Sequence, residues 1–223
     1  MDNTGQEKFH NSTEPLSVLV ISASLRRNSY NTTLSAVTSN VLRRQGVTVV
    51  PSDMNEFDCI SYNYDLEHES KIPAGAELLR QKISASDALV IASPEYNGSM
   101  PGHLKNVIDW VSRFRPQPIN EKHILLLSAS PSMAGGNRGL WSLRMPLEHL
   151  GARVFPDMFS LAVAHQAFAA DDTLKDTQLM QRLETTIAKF LDLAEAAKKY
   201  PCAKRAWTEF LGEKLDAATA RSE

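Results

Sequence analysis

The chain reads LSVLVISASLRRNSYNT from residue 16 to residue 32. The apolar run over residues 16–21 predicts a buried parallel strand, and residues 33–44 predict the helix that follows it. The connection between them, residues 22–32, is rich in hydroxyl side chains and contains two arginines. Backbone N–H groups, hydroxyl donors and the positive end of the helix dipole converge at such a connection, so it predicts a binding site for a phosphate group.

The side chains of this connection supply the candidate phosphate ligands, which are Ser24, Arg26, Ser29, Asn31 and Thr32. The planar guanidinium of Arg26 suits a phosphate, and the hydroxyl and amide groups add neutral donors. Neither a Walker loop nor a dinucleotide fingerprint is present, because both need a glycine-rich pattern. A plainer interpretation is a polar loop in which Ser29 or Asn31 only caps the helix, which would leave the other side chains without a role.

The composition narrows the class of protein. At 223 residues, with 43% hydrophobic and 22% charged residues, the chain fits one globular α/β domain with extensions. A net charge of -2 gives no support for binding to nucleic acid or to an anionic membrane. Cys59 and Cys202 are far apart and the six histidines do not cluster, so neither a disulfide framework nor a metal site is expected. Sparse cysteines favour a reducing compartment, and we expect the cytoplasm.

Most of the chain is expected to form one domain, residues 15–200. Residues 1–14 are polar, lack the apolar core of a signal peptide and predict a disordered leader. Residues 201–223 predict a polar tail in which a helix can form. Residues 52–73 predict a long loop, of a kind that often serves as a lid or an interface segment. No apolar run approaches the ~20 residues that a membrane-spanning helix needs.

Apolar runs alternate with helical patterns along the chain, which indicates a parallel sheet covered on both faces. Strands are predicted at residues 16–21, 47–50, 87–92 and 123–127, with one short fifth strand within 152–161. Helices are predicted at residues 33–44, 74–84, 102–113, 139–150 and 173–200. The pattern predicts a flavodoxin-like, doubly wound α/β fold with a five-stranded parallel sheet of order 2-1-3-4-5 and helices on both faces.

Three loops carry the unusual chemistry: loop 1 (residues 22–32), loop 2 (residues 93–101) and loop 3 (residues 128–138). They follow predicted strands one, three and four, which are neighbours in the predicted order. Ligands of such folds bind beyond the carboxyl ends of the strands, where the order of connections reverses. We therefore expect the three loops to form one site.

Loop 2 contains Pro94-Glu95-Tyr96-Asn97-Gly98. Flavodoxin-type folds bind a single flavin phosphate at a loop such as loop 1. The prolines of loop 2 stiffen the chain and its glycine permits close backbone approach, which would suit the isoalloxazine ring of a flavin, because that ring needs backbone groups facing its heteroatoms. The alternative is an ordinary strand-to-helix turn, in which Tyr96 only packs. Glu95 is interpreted as a structural or backbone-contact residue, because hydride transfer through a flavin does not need a protein acid.

Loop 3 is small and rich in hydroxyl groups, with candidate ligands Ser130, Gly135 and Gly136. The glycine pair would let a planar ligand come close to the main chain. Simple loop flexibility is the alternative explanation for the same residues.

Together these segments resemble the NADPH-dependent FMN reductase family, which includes flavodoxin-like quinone, azo-dye and chromate reductases. The resemblance covers roughly residues 16–160. The matching segments are Ser24-Leu25-Arg26-x-x-Ser29-x-Asn31, Pro94-Glu95-Tyr96-Asn97-Gly98-Ser99-x-Pro101-Gly102-x-Leu104-Lys105-Asn106-x-Ile108-Asp109-Trp110, and Gly135-Gly136-x-Arg138 with Leu143-Arg144 beyond it.

The resemblance implies an enzyme with FMN as its cofactor and NADPH or NADH as its hydride donor. It implies that loop 1 holds the FMN phosphate, that residues 94–98 line the isoalloxazine, and that Ser130, Gly135 and Gly136 close the other side of the ring. A quinone, free flavin, azo compound or similar small molecule would accept the electrons. The family resemblance also implies a homodimer or homotetramer in which the helix ending near Trp110 contributes to the subunit contact; a core position for Trp110 is the alternative.

Two other classes of function are compatible with the residues. A flavin-binding electron carrier or redox sensor would use the same loops without oxidising a nicotinamide, although such carriers are usually strongly acidic and this chain is not. A scaffold that binds a different phosphate, or none, is the third class.

Overall fold

The computed structural model describes residues 14–69, 72–171 and 173–199. The predicted leader and tail lie outside the described residues, apart from Glu14. Six strands are present in this part of the chain, namely β1 (Ser17–Ser22), β2 (Thr48–Asp53), β3 (Ala88–Ala92), β4 (His123–Ala129), β5 (Arg153–Val154) and β6 (Phe159–Leu161). The helices described are α1 (Tyr30–Arg44), α2 (Tyr64–Glu69), α3 (Ala74–Ser84), α4 (Gly102–Val111), α5 (Asn137–His149), α6 (Ala164–Ala167) and α7 (Thr177–Lys199).

The strands form a parallel sheet of order β2-β1-β3-β4-β5, with β6 paired to β4. This order confirms the predicted flavodoxin-like fold. The predicted short fifth strand within residues 152–161 is present as β5, and a sixth strand that was not predicted, β6, follows it in the same segment. Pro156 lies between them, and a proline has no N–H to donate to a ladder. The first half of β4 therefore pairs with β5, and its carboxyl end pairs with β6.

Helices cover both faces of the sheet. Val18 and Val20 of β1 face a layer built from α1 and α7, whereas Leu19 and Ile21 face a layer built from α3, α4 and α5. Since both of their faces are buried, the central strands β1, β3 and β4 are nearly continuous apolar runs rather than alternating ones. Each fully buried aliphatic side chain contributes about 1.5–3 kcal/mol by the hydrophobic effect. Within the described residues, none of the helices combines the length and apolar character needed to cross a bilayer.

The predicted long loop of residues 52–73 contains regular structure, which the sequence pattern did not indicate. A 3-10 turn over Met54–Phe57 begins with Asp53 and Glu56 in a capping box, and α2 follows. The indole N–H of Trp110 donates to the carbonyl of Ile60 at 2.8 Å. Trp110 is fully buried, so it is a core residue and its expected place in a subunit contact is wrong.

Candidate functional site

Loops 1, 2 and 3 leave the sheet side by side, because β1, β3 and β4 are adjacent. Main-chain pairing continues from the strands into the loops. The N–H of Ala23 donates to the carbonyl of Ala92 at 2.9 Å, and the N–H of Ser93 donates to that of Leu127 at 2.8 Å. The expected common location of the three loops at one edge of the sheet is therefore present.

Hydroxyl side chains organise loop 1. Helix α1 begins at Tyr30, three residues before the predicted start, because Ser29 is its N-cap and accepts the N–H of Asn31 at 3.2 Å. The buried hydroxyl of Ser24 accepts the N–H of Arg26 at 3.3 Å. A hydroxyl that accepts a hydrogen bond still has its own hydrogen to donate, so both serines can order the loop and donate to a ligand.

Two further contacts complete loop 1. The hydroxyl oxygens of Ser22 and Thr32 lie 2.8 Å apart, across the start and end of the loop. The guanidinium of Arg26 lies 5.2 Å from the centroid of the Tyr30 ring and donates to the carbonyl of Asn28 at 3.3 Å. An arginine is thereby held over the N-terminus of α1, where the helix dipole is also positive.

The side chain of Asn31 connects loop 1 to loop 3. Its amide nitrogen donates to the carbonyl of Ala129 at 3.0 Å, and its amide oxygen accepts the N–H of the same residue at 2.9 Å. Asn31 is buried, so this pair of hydrogen bonds is protected from water. In this structure Asn31 fixes the position of the loops relative to each other.

Loop 2 turns back on itself at its tip. Tyr96 and Ser99 exchange backbone hydrogen bonds of 2.9 and 3.1 Å across Asn97 and Gly98, which both have positive φ. Such a two-residue turn favours Asn-Gly, since it needs two left-handed residues. It leaves the Tyr96 ring 45% exposed at the rim of the site, 6.4 Å from the ring of His103. Pro94 is buried beneath the turn.

His103, which follows Pro101 and could border the pocket or lie on the helix surface by its position in the sequence, ties the start of α4 to loop 1. Its Nε2 lies 3.1 Å from the carbonyl oxygen of Ala23. A cavity of about 250 Å³ opens beside this contact, lined by Leu25, Met54, Asn55, Phe57, Asp58, Cys59, His103 and Asn106.

Glu95 connects loop 2 to the start of α5. Its carboxylate accepts the N–H of Gly139 at 3.1 Å and the Nε–H of Arg138 at 3.0 Å. Burial would raise the pKa of Glu95, but these hydrogen bonds and the charge of Arg138 outweigh it and hold the pKa below its ordinary value. The carboxylate also lies at the positive end of α5, which favours the ionised form.

The glycine pair of loop 3 packs against the protein itself. Gly136 has a φ of 84°, and a Cβ added to it would lie 2.0 Å from the buried hydroxyl oxygen of Ser128. Gly135 has a φ of 61°, and its Cβ would lie 3.0 Å from the N of Ala162. Both glycines are therefore explained by close packing on β4 and β6, whatever ligand the loop takes.

Ser130 holds the rest of loop 3 against the strand beside it. Its N–H donates to the carbonyl of Leu161 and its carbonyl accepts the N–H of Ala164, each at 3.0 Å. Its hydroxyl lies 3.1 Å from that of Ser132. This side of the site is formed by β6, the strand that was not predicted from the sequence.

These residues suit a flavin mononucleotide. Loop 1 offers hydroxyl donors, an arginine and a helix N-terminus for a phosphate, and loop 2 presents a half-exposed aromatic ring beside a backbone turn. The fold and the site thus define a flavodoxin-like mononucleotide-binding protein. The chain belongs to the NADPH-dependent FMN reductase family, whose family model matches residues 16–166. Membership confirms the expected class, a flavin-dependent oxidoreductase.

Individual relatives agree with this assignment. A quinone reductase of Escherichia coli is 37% identical over 142 residues, which cover 63% of this chain and 74% of that protein. An NAD(P)H-dependent FMN reductase of Pseudomonas aeruginosa is 35% identical over 178 residues, which cover 77% of this chain and 91% of the other. The solved structure of the flavoenzyme NAD(P)H:(acceptor) oxidoreductase FerB from Paracoccus denitrificans superimposes with a TM-score of 0.69 at 28% identity, covering 81% of this chain and 97% of FerB.

Proposed function

We propose that this protein binds FMN at loops 1, 2 and 3 and uses NADPH or NADH to reduce a quinone or a similar small electron acceptor. The observation that carries the proposal is the joining of the three loops at one edge of the sheet, through Asn31 to Ala129 and through Glu95 to Gly139. The relatives include a quinone reductase and an NAD(P)H-dependent FMN reductase, which supports the choice of reaction.

Loop 1 would hold the phosphate of FMN. Ser24, Ser29 and Thr32 would donate hydroxyl hydrogens, and Arg26 would supply the positive charge. Asn31 would act by keeping these donors next to loop 3, since its amide is bonded to Ala129.

Loops 2 and 3 would enclose the ring. The backbone of Pro94, Glu95, Tyr96, Asn97 and Gly98 would line one side, and the segment from Ser130 to the Gly135-Gly136 pair would close the other. The bound flavin would supply the redox chemistry, accepting a hydride from the nicotinamide and passing electrons on. The chain's own residues would bind and orient it.

Glu95 would hold loop 2 in position rather than donate a proton. Its pKa lies below the ordinary value because Gly139 and Arg138 stabilise the carboxylate, so it is ionised at neutral pH. An ionised carboxylate has no proton to donate, so it is a poor general acid. With two accepted hydrogen bonds it is well suited to hold loop 2 against α5.

We also propose that the protein works in the cytoplasm as a homodimer or homotetramer. The sparse cysteines and the need for reduced nicotinamide support the compartment. The family resemblance supports the assembly, although Trp110 takes no part in it.

The proposal is tested with the FMN-loaded full chain. We expect a yellow preparation that oxidises NADPH or NADH steadily when a benzoquinone or naphthoquinone is added. A yellow protein that leaves both nicotinamides untouched with quinone, free FMN and azo-dye acceptors would overturn the enzyme assignment in favour of a carrier or sensor. A colourless protein that does not take up FMN would overturn the flavin assignment as well.

A further inference from the structure

A second cavity, of about 660 Å³, lies at the edge of the sheet that β5 and β6 form. Its walls are α7, the first turns of α5, and the connection between β5 and β6. Among the described residues, loops 1 and 2 contribute nothing to these walls and loop 3 contributes only Asn137, so the cavity is distinct from the candidate flavin site. Its volume is within the roughly 300–1,000 Å³ of small-molecule sites. We call it the α7 cavity, and the residues that define it are Asn137, Trp141, Asp157, Arg182, Thr185 and Lys189.

One face of α7 forms the longest wall of the α7 cavity. The residues that line it follow each other at spacings of four, three and four positions, which places them on one side of the helix: Gln178, Arg182, Thr185 and Lys189. The opposite side of α7 is packed into the core. Thr186 is only 7% exposed and still lines the cavity, so the cavity extends below the outer surface of the helix. This depth distinguishes it from a solvated helix face.

Two basic side chains of this wall have no acidic partner. Neither Arg182 nor Lys189 forms an ion pair with any residue in the described part of the chain. Asp157 is the only acid among the described lining residues, and it is paired with neither of them. The guanidinium of Arg182 lies 5.4 Å from the centroid of the buried Phe159 ring, a contact that orients it. Because cations form strong charge-assisted hydrogen bonds with phosphate, two unpaired cations in one cavity predict an anionic ligand.

The other walls offer groups that an inorganic anion does not use. Arg144 lies 5.8 Å from the centroid of the Trp141 ring, and Trp141 is still 56% exposed, so a second planar group can stack on it. The carboxylate of Asp157 accepts hydrogen bonds, as carboxylates do from the hydroxyl groups of a ribose. The side chains of Asn137 and Gln178 add amide donors and acceptors. A ligand that uses all of these groups has a planar base, a sugar with hydroxyl groups and a negative charge.

We infer that the α7 cavity binds a nucleoside diphosphate. The base stacks on Trp141, the ribose hydroxyls donate to Asp157, and the phosphates lie between Arg182 and Lys189. These two cations are about 10.5 Å apart along the helix axis, and their long side chains can converge on a diphosphate beside the hydroxyl of Thr185. An inorganic anion would leave Trp141 and Asp157 without a role, and a neutral aromatic molecule would leave both cations without one.

A free nucleotide and the ADP half of NADH or NADPH share this chemistry. Asn137 directly follows Gly136, which would close the ring site, so the α7 cavity and the candidate flavin site adjoin at the end of loop 3. Only the second source rests on the proposed function. A free nucleotide binds to the α7 cavity whether or not the protein is a reductase.

The first test is calorimetric titration of the full chain, with FMN present in excess, with ADP, inorganic pyrophosphate and adenosine. We expect saturable binding of ADP that is tighter than binding of either fragment, because only ADP combines the base, sugar and phosphate contacts. Arg182→Gln and Lys189→Gln should each weaken ADP binding about 10-fold or more. Arg43→Gln, which removes an exposed cation of α1, is the matched control and should leave the affinity unchanged.

Three results of this titration would overturn the inference. They are no saturable binding of ADP, equal affinity for ADP in wild type and Arg182→Gln, and an affinity for pyrophosphate as high as that for ADP. The last result would reduce the α7 cavity to an anion site. Circular dichroism of each variant checks that a loss of binding is not a loss of the fold.

The second test locates the base. ADP should quench the tryptophan fluorescence of wild type, because the adenine stacks on an exposed indole. Trp141→Phe keeps an aromatic ring for stacking but removes this indole, so the variant should still bind ADP in the calorimeter without the quenching. Quenching that persists in Trp141→Phe would show that the base does not lie on residue 141.

Steady-state oxidation of NADPH with a quinone separates the two sources of the ligand. If the ADP half of the donor occupies the α7 cavity, ADP competes with NADPH, and Arg182→Gln raises the KM for NADPH with little change in kcat. If the ligand is a free nucleotide, ADP binds and the KM for NADPH is the same in both proteins. Either result agrees with a nucleotide site, whereas a wild-type protein that binds ADP but oxidises no NADPH would count against the proposed function alone.

Discussion

Asn31 and Ala129, which are 98 residues apart in sequence, exchange two buried hydrogen bonds of 2.9 and 3.0 Å. Asn31 lies in the first turn of α1 and Ala129 ends β4, so the pair joins loop 1, the candidate phosphate site, to loop 3, which would close the ring site. The sequence pattern predicts that the Asn31 side chain contacts the phosphate. In the structure its hydrogen bonds to Ala129 join loop 1 to loop 3.

Replacement of Asn31 by alanine is expected to destabilise the protein by about 2–3 kcal/mol. The change leaves a buried N–H and a buried carbonyl of Ala129 without partners, and such groups carry their full desolvation penalty. Urea denaturation measures the effect. The control is Asn40→Ala on the same helix, where the amide only accepts an exposed bond from Arg43. Similar losses for the two variants would contradict the bridging role.

Replacement of Arg26 by alanine is expected to weaken FMN binding about 10- to 150-fold, which corresponds to about 1.5–3 kcal/mol for a charge-assisted hydrogen bond. The neighbouring Arg27→Ala is the matched control, since it also removes an exposed cation from the same loop. Fluorescence titration of FMN measures both. An unchanged dissociation constant for Arg26→Ala would show that the phosphate lies elsewhere.

Replacement of Gly136 by alanine is expected to destabilise the fold by about 2–4 kcal/mol. Part of the cost is the positive φ of 84°, worth about 1–2 kcal/mol, and the rest is the overlap of the new Cβ with the Ser128 hydroxyl. Gly46→Ala measures the cost of the positive φ alone, because Gly46 also has a positive φ but has no atom within 4 Å of an added Cβ. The additional loss in Gly136→Ala is then the cost of the overlap with Ser128. If thermal or urea unfolding gave equal losses for both variants, the packing explanation would fail.

Sequence patterns predict the helices and strands whose formation depends mainly on residues close together in the sequence. Residues 74–84 were predicted as a helix and form α3 with the same bounds, because an amphipathic run follows Pro73 and nothing distant competes with it. The strand order followed from the alternation of elements and the rules of parallel sheets. Because the strand order places β1, β3 and β4 side by side, it also places the three loops that follow them at one edge of the sheet.

Long-range pairing determined what the patterns could not predict. The separation of β5 from β6 depends on which half of β4 is available to Arg153 and to Phe159, and this is a property of the sheet rather than of the segment. The early start of α1 is different, because it follows from the local cap at Ser29 that the sequence offered as an alternative interpretation. The bridge from Asn31 to Ala129 has no local signal at all.

The contact between Glu95 and Gly139 gives a pH-dependent prediction. The pKa of Glu95 in the folded protein lies below its ordinary value of 4.5, so the ionised form stabilises the fold. By linkage, this contribution is fully present above the unfolded-state pKa and is lost as the pH falls through the folded-state pKa. Glu95→Gln should therefore be less stable than wild type by about 1 kcal/mol at pH 7, a modest figure because Arg138 is largely exposed.

The difference between wild type and Glu95→Gln should shrink as the pH falls below the ordinary value of 4.5. The reason is that protonated Glu95 resembles glutamine in charge and shape and makes the same weakened contacts. Urea denaturation at a series of pH values measures it, with Glu184→Gln, which removes a surface ion pair with Arg44, expected to cost less than about 0.5 kcal/mol at pH 7. A difference that stays constant or grows in acid would mean that the Glu95 carboxylate is not what joins loop 2 to α5.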